Sequence, residues 1–85
     1  MSSIDEVISS LSANSNAVTD LQGQIHGTTA MAEEMLKQLQ EIGLQGKAAA
    51  LGAVKDQLAA CDAFAAALQN KLSEAMTSAA AATGQ

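Results

Sequence analysis

Apolar residues recur along this chain with heptad spacing. From Ile4, steps of seven reach Leu11, Val18, Ile25, Ala32 and Leu39. A companion series runs Val7, Asn14, Leu21, Thr28, Met35 and Ile42, polar only at Asn14 and Thr28. Such a repeat lays one stripe of a helix against a partner helix. A second frame runs Leu51, Leu58, Ala65, Leu72 and Ala79, with companions Val54, Cys61, Leu68, Ala75 and Ala82. Between the frames lies Gly43-Leu44-Gln45-Gly46. Gly43 follows Ile42, where a left-handed glycine ends a helix, and Gly46 frees the chain to start again. Ser3 and Glu6 have the spacing of a capping box. The pattern predicts an all-α fold, one antiparallel two-helix hairpin over residues 1–85. Helix one covers about 4–42, the turn 43–46 and helix two about 47–82.

A short turn makes the two helices antiparallel neighbours. Pairing Ile42 with Leu51 then sets Met35 against Leu58, Ala32 against Cys61 and Ile25 against Leu68. The last layers set Val18, Asn14 and Leu11 against Ala75, Ala79 and Ala82, so the open end is under-packed. Ser12-Ala13-Asn14-Ser15-Asn16 competes for backbone hydrogen bonds, and Gly23 and Gly27 each cost a helix about 1 kcal/mol relative to Ala. A kink or fraying is therefore expected between residues 12 and 27. Asn14 at a core position reads in two ways: as a device that fixes register or partner number, or as the mark of that frayed segment.

Outside the expected seam, Ile8, Met31, Leu36, Phe64 and Met76 fall on flanking positions. Burying such a side chain yields roughly 1.5–3 kcal/mol. A hairpin this small cannot cover them alone. The residues Ile4, Ile8, Asn14, Leu36, Phe64 and Met76 are accordingly read as a partner interface, and the assembly as a dimeric four-helix bundle.

Composition agrees with helix. The 85 residues hold no Pro, one Phe and 19 Ala. That length allows one domain near the lower limit for an independent core. Net charge is −5, with four Lys and no Arg, which excludes a basic footprint for nucleic acid. All of the excess lies in residues 1–42. The single Cys61 excludes an intrachain disulfide. No apolar run approaches the roughly 18 residues of a membrane span, so membrane insertion is not expected. The opening Met1-Ser2-Ser3-Ile4-Asp5-Glu6 is acidic where a secretory signal needs a basic stretch. The expected location is the cytoplasm, with export by a signal-peptide-independent route as the alternative.

Convergent chemistry is not expected. His26 points away from the seam as a solvated side chain. Cys61 is expected to face Ala32 as a small buried hydrophobe. One His, one Cys and dispersed carboxylates lack the ligand spacing of a metal site. Gly43-x-x-Gly46 lacks the pattern of a phosphate loop. No catalytic, cofactor-binding or metal residue is assigned, and an enzyme is not expected.

The turn carries a resemblance. Leu44-Gln45-Gly46 stands where the WXG-motif family of small type VII secretion substrates has Trp-x-Gly. The Ala- and Leu-rich stretch from Lys47 through Leu51, Leu58, Leu68 and Met76 resembles that family's second helix. The resemblance implies a hairpin that dimerises with itself or with a related chain, and serves a translocase or a larger toxin. Gly43, Leu44 and Gly46 would shape the turn. The family's C-terminal export signal contains Tyr, which this chain lacks, so a partner would have to supply it. A cytoplasmic coiled-coil module for oligomerisation or partner binding, unrelated to secretion, is the other reading.

Overall fold

The computed structural model describes residues 3–84. Two helices, α1 (Ile4–Glu41) and α2 (Gln45–Gly84), pack side by side as an antiparallel hairpin. The rod measures 64 × 16 × 15 Å. Its radius of gyration is 19.1 Å, against about 12 Å for a compact chain of this length.

Helix α1 begins at a complete capping box. The Glu6 amide donates to the Ser3 hydroxyl at 3.2 Å, and the Ser3 amide to the Glu6 carboxylate at 3.3 Å. Asp5 and Glu6 also place negative charge on the positive end of the helix dipole. The helix then runs without a break through Ser12–Asn16 and both glycines, where a kink was the expectation. Thr19, Thr28 and Thr29 donate to the carbonyls of Ser15, Gln24 and Ile25, four residues back. Those bonds satisfy the hydroxyls without breaking the helix.

The turn is a Schellman motif. The Leu44 amide donates to the Leu39 carbonyl at 2.9 Å and the Gly43 amide to the Gln40 carbonyl at 3.1 Å. Gly43 has φ 80°, a left-handed value that a Cβ disfavours. The Leu44 carbonyl at once accepts the Ala48 amide at 2.9 Å, so α2 starts without a spacer. Gly46 therefore lies inside α2 rather than in the turn, and it has no positive φ.

This tight closure corrects the register. Pairing Ile42 with Leu51 needs a wide turn, and the chain reverses within Ile42–Leu44. His26, expected level with Ala67, instead reaches Asp62, five positions away. Thr19 meets Gln69, and Glu33 meets Lys55, on the same offset.

The seam is also rotated. Covered positions on α1 repeat as Ile8, Leu11, Ser15, Val18, Gln22, Ile25, Thr29, Ala32, Leu36 and Leu39. On α2 they repeat as Ala48, Leu51, Lys55, Leu58, Asp62, Ala65, Gln69, Leu72, Met76 and Ala79, with Gly52 and Ala75 half-covered beside them. One series of each expected frame is right, and the companion is not. Each helix is turned by about 50° from the expected contact, at 3.6 residues per turn. The buried residues are small, namely Val18, Ala32, Ala48 and Ala65. Their size fits the close approach of two helices.

Substitution separates the two kinds of glycine. Gly43→Ala should destabilise by about 1–2 kcal/mol, the cost of a left-handed Cβ. Gly27→Ala, where a Cβ meets nothing within 4 Å, should stabilise by up to about 1 kcal/mol. Denaturant unfolding at one fixed protein concentration measures both. A Gly43→Ala chain as stable as its parent contradicts the turn described.

Candidate partner-binding face

The rotation gives the two flanks of the seam opposite characters. On one flank three polar contacts recur at heptad spacing. Gln69 Nε2 donates to Thr19 Oγ1 at 2.9 Å and to the Ser15 carbonyl at 3.2 Å, while Ser15 Oγ donates to Gln69 Oε1 at 3.0 Å. One turn group further on, His26 Nε2 lies 3.0 Å from Asp62 Oδ1. Next, Lys55 Nζ lies 4.0 Å from Glu33 Oε2. Long polar side chains tolerate this half-buried flank because each finds a partner across the seam.

The other flank is apolar and open. It carries Val7, Leu21, Met35 and Ile42 from α1, and Val54, Phe64 and Leu68 from α2. Phe64 is 74% exposed and Ile42 69%. Met31, at 72%, stands at the rim. Midway along the rod, Leu21, Ile25, Cys61, Phe64, Ala65 and Leu68 line a shallow groove of about 380 Å³. The chain exposes 5782 Å² in total, whereas a compact monomer of its mass exposes about 4700 Å².

Charge follows the same division. All nine carboxylates lie off the open apolar flank. Within the heptads, those of α1 fall one or two places after the Ile4 series, at Asp5, Glu6, Asp20, Glu33, Glu34 and Glu41. On α2, Asp62 is in the polar flank, and Asp56 and Glu74 face outward. Only Lys47 and Lys71 share the positions of the open flank.

The residues expected to form the partner surface separate accordingly. Phe64 and Ile4 are exposed. Ile8, Leu36 and Met76 are half-buried on the stripe that faces the other helix, so they belong to the hairpin's own seam. Asn14 is exposed on the open flank and not in the core; its neighbour Ser15 makes the contact across the seam. Cys61 is exposed in the groove and not packed on Ala32. His26 is mostly exposed, though paired with Asp62. Of the turn residues, Gly43 and Leu44 form the Schellman closure, and Gly46 does not.

The spacing reading missed Val7, Leu21, Met35, Ile42, Val54 and Leu68 as outward residues because it assigned them to the seam. One signal pointed the other way. Lys55, Asp62 and Gln69 recur in steps of seven opposite the polar series Thr19, His26 and Glu33.

Among the described residues, no group of three His, Cys, Asp or Glu side chains could hold a metal ion. No helix there is long and apolar enough to cross a membrane. Comparison with family models, with curated proteins and with solved structures gave no match. The geometry itself defines a class: a helical hairpin with one polar flank and one apolar flank.

The polar contacts should differ in weight. Gln69→Ala should cost about 1 kcal/mol, since it removes a part-buried group bonded to both Ser15 and Thr19. A double-mutant cycle on the exposed His26–Asp62 pair should return only about 0.2–1 kcal/mol. Urea unfolding of the single and double alanine variants reads both. A His26–Asp62 coupling above that of Gln69 would reverse the ranking.

Proposed function

We propose that this chain is a non-enzymatic, WXG-like helical-hairpin protein, the adaptor or substrate of a type VII secretion or polymorphic-toxin system. It acts by helix-face complementarity. The observation that carries this reading is the open apolar flank, which runs from Val7 to Ile42 on α1 and is matched by Val54, Phe64 and Leu68 on α2. Side chains of that size gain roughly 1.5–3 kcal/mol each on burial, and a single hairpin leaves them in water. The glycine turn between two long helices and the WXG-like Leu44-Gln45-Gly46 support the link to secretion. No cofactor enters the mechanism, because binding needs only shape and apolar area.

A second reading, a cytoplasmic structural module for oligomerisation or partner binding, draws on one observation. Gly46, in the place of the family's glycine, sits within α2 and not in the turn.

Co-expression with proteins encoded beside this chain, and with a type VII translocase, tests the choice. The first reading expects a stable complex with a larger neighbour and the appearance of that complex outside the cell. A chain that stays inside and binds no translocase or toxin favours the second. A chain that binds nothing and remains a stable monomer overturns both.

A further inference from the structure

We infer that the groove midway along the rod is a binding site for a single-chain amphiphile with an anionic head, the chemistry of a fatty acid. The site is complete in one hairpin and needs no second protein.

The open flank is not uniform along its length. On α1 its main series runs Val7, Asn14, Leu21, Thr28, Met35 and Ile42, so Leu21 has a polar residue one heptad to either side. On α2, Phe64 is bracketed in the same way by Gln57 and Lys71. All four polar residues are exposed. The register set by Thr19–Gln69 and His26–Asp62 brings Asn14 and Lys71 within one helical turn of each other in level, toward the open end. It brings Thr28 and Gln57 equally close in level, toward the turn. The groove lies between these two polar boundaries.

Dimensions set the tail. The boundaries stand two heptads apart on each helix, about 21 Å at 1.5 Å per residue. An extended alkyl chain lying along the rod fits that span and covers neither boundary. The groove volume of 380 Å³ is at the low end of the roughly 300–1,000 Å³ of small-molecule sites, which suits one narrow chain. Its lining is hydrocarbon apart from the Cys61 thiol, a weak hydrogen-bond donor. A polar tail would find no partner there.

Charge sets the head and the direction. All nine carboxylates lie off the flank, and only the open-end boundary carries a cation, Lys71. Lys71 Nζ lies 3.4 Å from Glu74 Oε1, with both side chains mostly exposed. Such a contact is worth little, so the ammonium is free to turn toward a ligand oxyanion. Asn14 brings amide N–H donors to the same boundary. At the other boundary Gln57 is neutral and the Thr28 hydroxyl already donates to the Gln24 carbonyl. Lys47, the flank's second cation, lies one heptad beyond Val54 and outside the groove. The head group therefore sits by Lys71 and the tail runs toward Thr28.

Equilibrium dialysis of the full chain against dodecanoate, below its micelle-forming concentration, tests this. Dodecanol and dodecyltrimethylammonium probe the head. Iodoacetamide labelling of Cys61, exposed in the groove, probes the place. Dodecanoate should saturate at one per chain, bind more tightly than either other probe and slow Cys61 labelling. Lys71→Glu should weaken dodecanoate about tenfold, by loss of a charge-assisted contact, and leave dodecanol unchanged. Lys47→Glu should change neither. Phe64→Ser should weaken both. Equal affinity for the three heads, or a Lys71→Glu chain that binds dodecanoate as its parent does, overturns the anionic head. Uptake that never saturates and leaves Cys61 equally reactive is adsorption on exposed apolar surface, and overturns the site. A chain that takes up no dodecanoate yet forms a complex with a neighbouring protein overturns the site and leaves the partner-binding reading standing. Saturable uptake by a chain that binds no protein supports the site and overturns that reading.

Discussion

The closure at Gly43 is the constraint from which the rest of the hairpin follows. Its left-handed backbone lets the Leu44 amide reach the Leu39 carbonyl, and α2 begins at the next residue. Because the reversal is that tight, each position on α2 is committed to one level on α1. The committed levels set Thr19 by Gln69, His26 by Asp62 and Glu33 by Lys55. A wider turn would slide these pairs apart and leave half-buried polar groups without partners, which costs more than an exposed pair gains. Turn geometry and polar spacing thus select the same register.

Each helix carries apolar residues on three neighbouring heptad series, not two. On α1 they include Ile4 and Leu11, Val7 and Leu21, and Ile8 and Leu36. Such a stripe is too wide for one neighbouring helix and suits a helix that touches two. Inside a lone hairpin each helix has one neighbour. The seam consumes one edge of the stripe and the other edge stays in water. The covered core of Val18, Ala32, Ala48 and Ala65 is correspondingly small. Short chains expose much of their surface even when compact, and this rod exposes more.

Element type, helix number and the position of the turn were all legible in the sequence. Heptads, a glycine between them and the Ser3–Glu6 cap each rest on local chemistry, which one sequence displays fully. The contact face was not legible in the same way. The Ile4 and Leu51 series were identified correctly, but either flanking series could complete a seam with them. Hydrophobicity favoured Val7, Leu21 and Met35 over Ser15, Gln22 and Thr29. The half-polar seam became sensible only when Gln69 was seen to bond Ser15 and Thr19 across it. Register failed for a related reason. Counting residues from Ile42 and Leu51 assumed that Gly46 belonged to the turn, whereas the Schellman closure needs only Gly43.

The two flanks divide specificity from affinity. Exposed or half-exposed polar pairs contribute little energy, but they are particular about level, and a shift of one turn breaks all three. Apolar contact contributes more per residue and discriminates poorly between levels. Placing the particular contacts inside the hairpin and the larger apolar side chains outside gives a chain that folds back on itself in one register yet leaves those side chains in water. Reversing the assignment, with the apolar series in the seam, would satisfy the hairpin and leave an outer surface of Ser, Gln, Lys and Asp with little reason to associate. The sequence keeps acids away from the open flank while loading α1 with them elsewhere. In the proposed complex that pattern lets a second surface pack on the flank without bringing acid against acid.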